Sequence, residues 1–140
     1  MNRELQWGRA SLLALRVALA ASYLSAVADR LGWWGPPGAP GVTWGAWEPF
    51  VGFTATLNPY APAVVVPVLA WVATAAEVVI AVGLLAGWRL RWFAGASGAL
   101  LVAFALAMAS SLGLKAPLDY SVVSAATASF VLASRASPRA

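Results

Sequence analysis

Four apolar stretches, each close to the length of a membrane crossing, occupy most of this 140-residue chain and constrain its fold more than any other feature. A helix rising 1.5 Å per residue needs about 20 residues to traverse a hydrocarbon layer about 30 Å thick. The stretches run from about Ala10 to Leu31, Pro67 to Gly87, Leu90 to Leu112 and Pro117 to Ala136. Composition closes off the soluble alternative. The chain is 61% hydrophobic and 10% charged, whereas soluble domains are about 45–50% apolar and about 25% charged. The expectation is an all-α, polytopic membrane protein, residues 1–140 forming a single domain with four transmembrane helices.

Local chemistry sets the expected boundaries. Gly32 follows Asp29-Arg30-Leu31 and can stop the first helix, while Pro67 suits the first turn of the second because it lacks an N–H. Only Trp88-Arg89 separates the second and third stretches, which predicts a tight antiparallel hairpin. The fourth is diluted by Ser121, Ser124, Thr127, Ser129 and Ser134. Between the first two stretches lies a long segment, about Gly32 to Pro62, rich in Trp, Pro and Gly. Its first half reads as an irregular loop, its second half as a short interfacial helix or strand pair.

Charge placement orients the chain. Arg3, Arg9, Arg89, Arg91, Arg135 and Arg139 fall on one side, and only Arg30 and Lys115 on the other, so both termini are expected in the cytoplasm with the Trp-rich loop outside. Trp7, Trp88 and Trp92 at one boundary and Trp33, Trp34, Trp44 and Trp47 near the other fit the preference of indoles for headgroups. Ala26-Val27-Ala28 imitates a signal-peptidase site, but Arg16 interrupts the apolar stretch, and retention of the first helix is expected.

Small residues recur at four-residue spacing: Ala10, Ala14, Ala18, Ser22 and Ala26; Gly83 and Gly87; Gly95, Ala99, Ala103, Ala107 and Ser111. Such stripes let transmembrane helices approach closely, although a chain this rich in Ala also produces them by chance.

Several activities are excluded. Cys and His are absent, which removes disulfides, thiol and imidazole chemistry, the usual zinc sites and His-ligated haem. The formal charge of +4 comes from nine scattered basic residues, so nucleic acid is not an expected partner.

The strongest functional signal is charge at membrane depth, which costs about 2.5–3.5 kcal/mol per residue on insertion scales. Arg16, Glu77 and Tyr23 fall roughly 9, 15 and 20 Å from the inner boundary. Arg16, Tyr23 and Arg30 share one face of the first helix. If this face meets Thr74 and Glu77, Glu77 would accept hydrogen bonds from Arg16 and Tyr23. Such a pair is either a structural ion pair fixing helix register or the wall of a ligand site. Tyr120, Ser124 and Thr127 form a polar seam expected to turn inward. Asp29, Arg30, Glu48, Asn58, Tyr60, Lys115, Asp119 and Tyr120 gather near the outer ends, where they either enclose a vestibule or simply terminate helices.

The order of these features resembles the DoxX family of small bacterial four-helix membrane proteins. It is carried by an Arg early in the first span, the LNPY turn before the second, TAAEVVIAVGLLAGWRLRWFA, and GLKAPLDYSVVSAA leading the fourth. Where relatives carry a Gly-x-x-Lys-like end to the first span, this chain has Ala26 and Asp29-Arg30. The resemblance covers Arg16 to about Leu132 and implies a protein of the bacterial cytoplasmic membrane. Relatives are associated with thiosulfate:quinone oxidoreduction or with membrane oxidoreductase complexes handling oxidative stress. Arg16, Asn58, Pro59, Glu77, Lys115, Asp119 and Tyr120 match its recurrent polar pattern.

On that basis the expected function is that of an accessory subunit, inactive alone, with no metal and no covalent cofactor. It would bind a quinone or another apolar ring near Arg16 and Glu77, with Tyr23, Asn58, Lys115, Asp119, Tyr120 and Ser124 as further ligand contacts. A redox partner protein and a homo-oligomer are the expected associations beyond the lipid bilayer. The alternatives are a small proton- or ion-coupled carrier and a structural or assembly protein without ligand.

Overall fold

A computed structural model describes residues 3–136 and, within the first helix, side chains from Gly8 onward; the Arg3 and Trp7 side chains and Arg139, used above to orient the chain, lie outside the described residues. The described residues are all-helical. In chain order the elements are α1 (Arg3–Arg30), α2 (Trp47–Leu57), α3 (Val66–Ala86), α4 (Leu90–Leu112), α5 (Lys115–Asp119) and α6 (Val122–Arg135). Three of them, over Gly8–Arg30, Val66–Ala86 and Leu90–Leu112, are long and apolar enough to cross a membrane, which marks a multi-pass membrane protein.

The expected fourth helix over Pro117–Ala136 is broken. α5 ends at Asp119, Ser121 takes a left-handed conformation (φ 57°), and α6 restarts at Val122. Its 14 residues rise only about 21 Å. The polar run Asp119-Tyr120-Ser121 offers no apolar face to carry one helix through, and Pro117 is confined to the first turn of α5, where its missing N–H costs nothing. The long segment after α1 is likewise not simply a loop, because its second half forms α2, which rests on α3 and α4.

Glycines build both sharp reversals. α1 closes with a Schellman motif, in which Trp33 N–H reaches Ala28 O (3.0 Å) and Gly32 N–H reaches Asp29 O (2.9 Å) with Gly32 left-handed at φ 78°. At the other end Gly87 (φ 71°) caps α3 by donating to Gly83 O, and α4 begins three residues later. We call these the cap end and the hairpin end.

Close packing follows only part of the small-residue pattern. Gly83 lies against the Phe93 ring across the hairpin, and Gly87 against the Arg16 guanidinium, so both members of that motif are used. The α1 stripe is not used as expected: Ala10, Ala14, Ala18 and Ser22 are exposed, and α1 packs through Leu19, Ala20, Tyr23 and Val27 instead. On α4, Ala99 and Ala103 face outward, while Ala94, Ser97 and Gly98 face the bundle and Gly98 meets the Phe130 ring. Four-residue spacing alone leaves open which face is buried. On α1 the packed face carries Leu19, Tyr23 and Val27, whereas on α4 it carries the small Ala94, Ser97 and Gly98.

Candidate functional site: a buried ion pair beneath a folded cap

Asp29 and Arg30 sit at the last turn of α1, are 6% and 1% exposed, and point to opposite tasks. Arg30 Nη1 lies 2.8 Å from Glu77 Oε2 and 2.7 Å from Thr74 Oγ1. Its N–H is directed at the threonine, so the glutamate contact is a close ion pair in which Oε2 receives no well-aligned hydrogen bond. Thr74 passes its own proton to Ala70 O (2.8 Å), leaving its lone pair for Arg30, and Arg30 Nε donates to Ala26 O (3.2 Å). The guanidinium is roofed by aromatic faces: its carbon lies 3.7 Å from the Phe50 ring centre and 5.2 Å from that of Trp44. The delocalised, weakly hydrated cation suits this dry, aromatic setting better than an ammonium would.

Asp29 holds the cap. Its Oδ2 accepts the N–H of Thr43 (2.8 Å), and its Oδ1 those of Trp44 (2.8 Å) and Gly45 (2.9 Å). Trp34 adds an indole N–H to Ser25 O (3.1 Å). These bonds answer a specific problem. The segment from Gly32 to Ala46 is irregular, so its backbone N–H groups have no helical partner four residues away and must find acceptors elsewhere. Three of its residues are prolines, which carry no donor, and Asp29 satisfies three further N–H groups at once. Gly45 (φ 70°) is required where the chain doubles back, since a Cβ there would collide with the Pro36 and Pro37 backbone.

α1 is displaced along α3. Arg30, the last residue of α1, meets Thr74, eight residues inside the first residue of α3, a rise of about 12 Å. The cap segment and α2 fill the height left free. Trp47 stacks on Trp71 of α3 at 4.3 Å, and Trp44, Phe50 and Phe53 pack together beneath.

The same displacement reassigns Arg16. Instead of pairing with Glu77, it donates from Nη2 to Leu85 O (3.0 Å) and rests on Gly87. Leu85 is eight residues beyond Glu77 along α3, again about 12 Å. A cation at the carbonyl-rich C-terminus of a helix is favoured by the helix dipole and satisfies an orphan carbonyl, so Arg16 caps α3 from the neighbouring helix.

Tyr23 does not serve Glu77 either. Its hydroxyl lies 2.8 Å from Ser97 Oγ, which lies 2.9 Å from Ser129 Oγ; Ser129 donates to Ala125 O at 2.9 Å. With the Ser129 proton committed, Ser97 must donate to Ser129 and Tyr23 to Ser97, a one-way relay stitching α1 to α4 to α6. Ser97 carries no distinguishing sequence signal, and Ser129 figured above only as a diluting polar residue.

The other expected contacts do not converge. Tyr120, Ser124 and Thr127 are exposed, not inward, because the inner face of α6 is Ala126, Ser129 and Leu132; Thr127 bonds its own helix at Val123 O. Lys115 pairs with Asp119 on the exposed face of α5. Asn58 caps α2 through Thr54 O (2.9 Å) and lines an open groove of about 590 Å³ with Leu57, Tyr60, Ala61, Leu106, Ala107 and Ser110. A smaller cleft, about 300 Å³, lies between α1 and the cap over Asp29. No family model, curated protein or solved structure matches this chain.

Proposed function

We propose that this chain is a DoxX-like, four-span protein of the bacterial cytoplasmic membrane, acting as an accessory subunit of a membrane oxidoreductase system and binding a quinone-like ring without transforming it. In this reading α5 and α6 together form the fourth crossing, and both termini face the cytoplasm. The sequence resemblance supports the redox setting. The observation that carries the binding role is the Asn58 groove, whose walls are mostly apolar and whose few polar groups, Asn58, Tyr60 and Ser110, are of the kind that orient a ring carbonyl. The intramembrane charges support binding over catalysis or transport, because Arg30, Glu77 and Asp29 are engaged with one another's surroundings and covered by the cap. The ring site therefore moves away from Arg16 and Glu77 to the cap end of α4.

Titration of the detergent-purified protein with a short-chain ubiquinone should quench Trp fluorescence saturably, and Ala107→Phe, which fills the groove, should abolish that saturation. Linear, non-saturating quenching, or an unchanged response in Ala107→Phe, would overturn the proposal.

A further inference from the structure

The hairpin end carries a second candidate site, independent of the groove. Around the Gly87–Leu90 turn stand Trp88 and Trp92, 66% and 73% exposed, together with exposed Arg89 and Arg91. The Arg89 guanidinium lies 5.2 Å from the Trp88 ring centre. Arg16 reaches the same turn from α1, its guanidinium against Gly87 and its Nε buried without a partner. Of the four acidic side chains described, Asp29, Glu48 and Asp119 belong to the cap end, and Glu77, in the middle of α3, is paired with Arg30. Arg89 and Arg91 thus flank the start of α4 on the surface and Arg16 reaches the same turn, with none of the described carboxylates paired to them.

Two helices of membrane-crossing length end at this turn, and exposed indoles at such an end sit at headgroup depth. A guanidinium there can bind phosphate through two parallel N–H bonds. The partner that complements this charge at this depth is a lipid phosphate, and a headgroup retaining net negative charge is favoured over a zwitterionic one, whose ammonium would be repelled. We infer that the α3–α4 turn is a binding site for an anionic phospholipid headgroup, held by Arg89 and Arg91 with Arg16 behind them and flanked by Trp88 and Trp92.

The test uses the full chain reconstituted in nanodiscs of mixed phosphatidylcholine and phosphatidylglycerol, released into detergent, with retained lipids counted by native mass spectrometry. Wild type should retain phosphatidylglycerol in preference to phosphatidylcholine. The double variant Arg89→Gln, Arg91→Gln alters only exposed side chains and should keep the wild-type circular dichroism. Its preference should fall roughly fivefold per arginine, about 25-fold in all. Lys115→Gln, at the opposite end, should retain the wild-type preference. Equal retention of the two lipids by wild type overturns the inference, as does an undiminished preference in the double variant. An equal loss in Lys115→Gln also overturns it, since the effect would then follow net charge and not this turn.

Discussion

Replacing Glu77 with Ala should be among the costliest single changes to this fold, because it strands a cation that is 1% exposed. Charges 2.8 Å apart attract by about 6 kcal/mol at an effective dielectric constant of about 20. Much of that is consumed in the intact protein by desolvating both ions, so the pair itself contributes little net stability. Remove the carboxylate and the desolvation of Arg30 stays while its compensation goes. The bond to Thr74 and the Phe50 face offset about 1–2 kcal/mol. We expect a net loss of about 3–4 kcal/mol, within the range for a broken buried pair. Glu77→Gln, which keeps an acceptor oxygen, should lose about half as much. The double variant Arg30→Met, Glu77→Leu should return to within about 1 kcal/mol of wild type, well short of the Glu77→Ala loss. Unfolding by SDS in mixed micelles, followed by Trp fluorescence and near-UV circular dichroism, measures all four proteins. A Glu77→Ala variant within about 1 kcal/mol of wild type, or a double variant that loses as much as Glu77→Ala, would refute the reasoning.

Asp29→Asn should loosen the cap while leaving the long helices intact, since an amide turns an NH2 toward N–H donors that a carboxylate accepts; proteolysis within residues 31–46 should accelerate with far-UV circular dichroism unchanged. Gly83→Ala should cost about 1–3 kcal/mol through overpacking against Phe93, and Phe93→Leu should recover part of it in the same unfolding assay. Tyr23→Phe should cost only about 0.6 kcal/mol, the usual worth of an interhelical hydrogen bond in a membrane, because Ser97 still donates to Ser129. The chain has no cysteine, so single cysteines report topology directly. Pro40→Cys and Arg135→Cys should react with impermeant maleimide from opposite sides of intact vesicles, and labelling of both from one side would refute the four-span reading.

Hydropathy, proline, glycine and length are properties of short windows, and they suffice to locate α1, α3, α4 and the hairpin turn. A run such as Val66–Ala86 must be helical in lipid whatever lies beside it, because each backbone group finds its partner four residues away within the same segment. The helical half of the Trp-rich segment was also within reach, as one of two readings.

Which charges meet was settled only by the tertiary structure. Arg16, Tyr23 and Arg30 share one face of α1, so either arginine satisfies the periodicity, and Glu77 fits both on paper. Measuring depth from helices with flush ends favoured Arg16; a displacement of about 12 Å along α3 brings Arg30 to Glu77 and sends Arg16 to the end of α3. That displacement depends on Phe50, Trp44 and Trp47 filling the height above α1, contacts between segments far apart in the chain. A local pattern determines what a segment is in lipid. Its offset against a neighbour comes from the volume of everything packed around both.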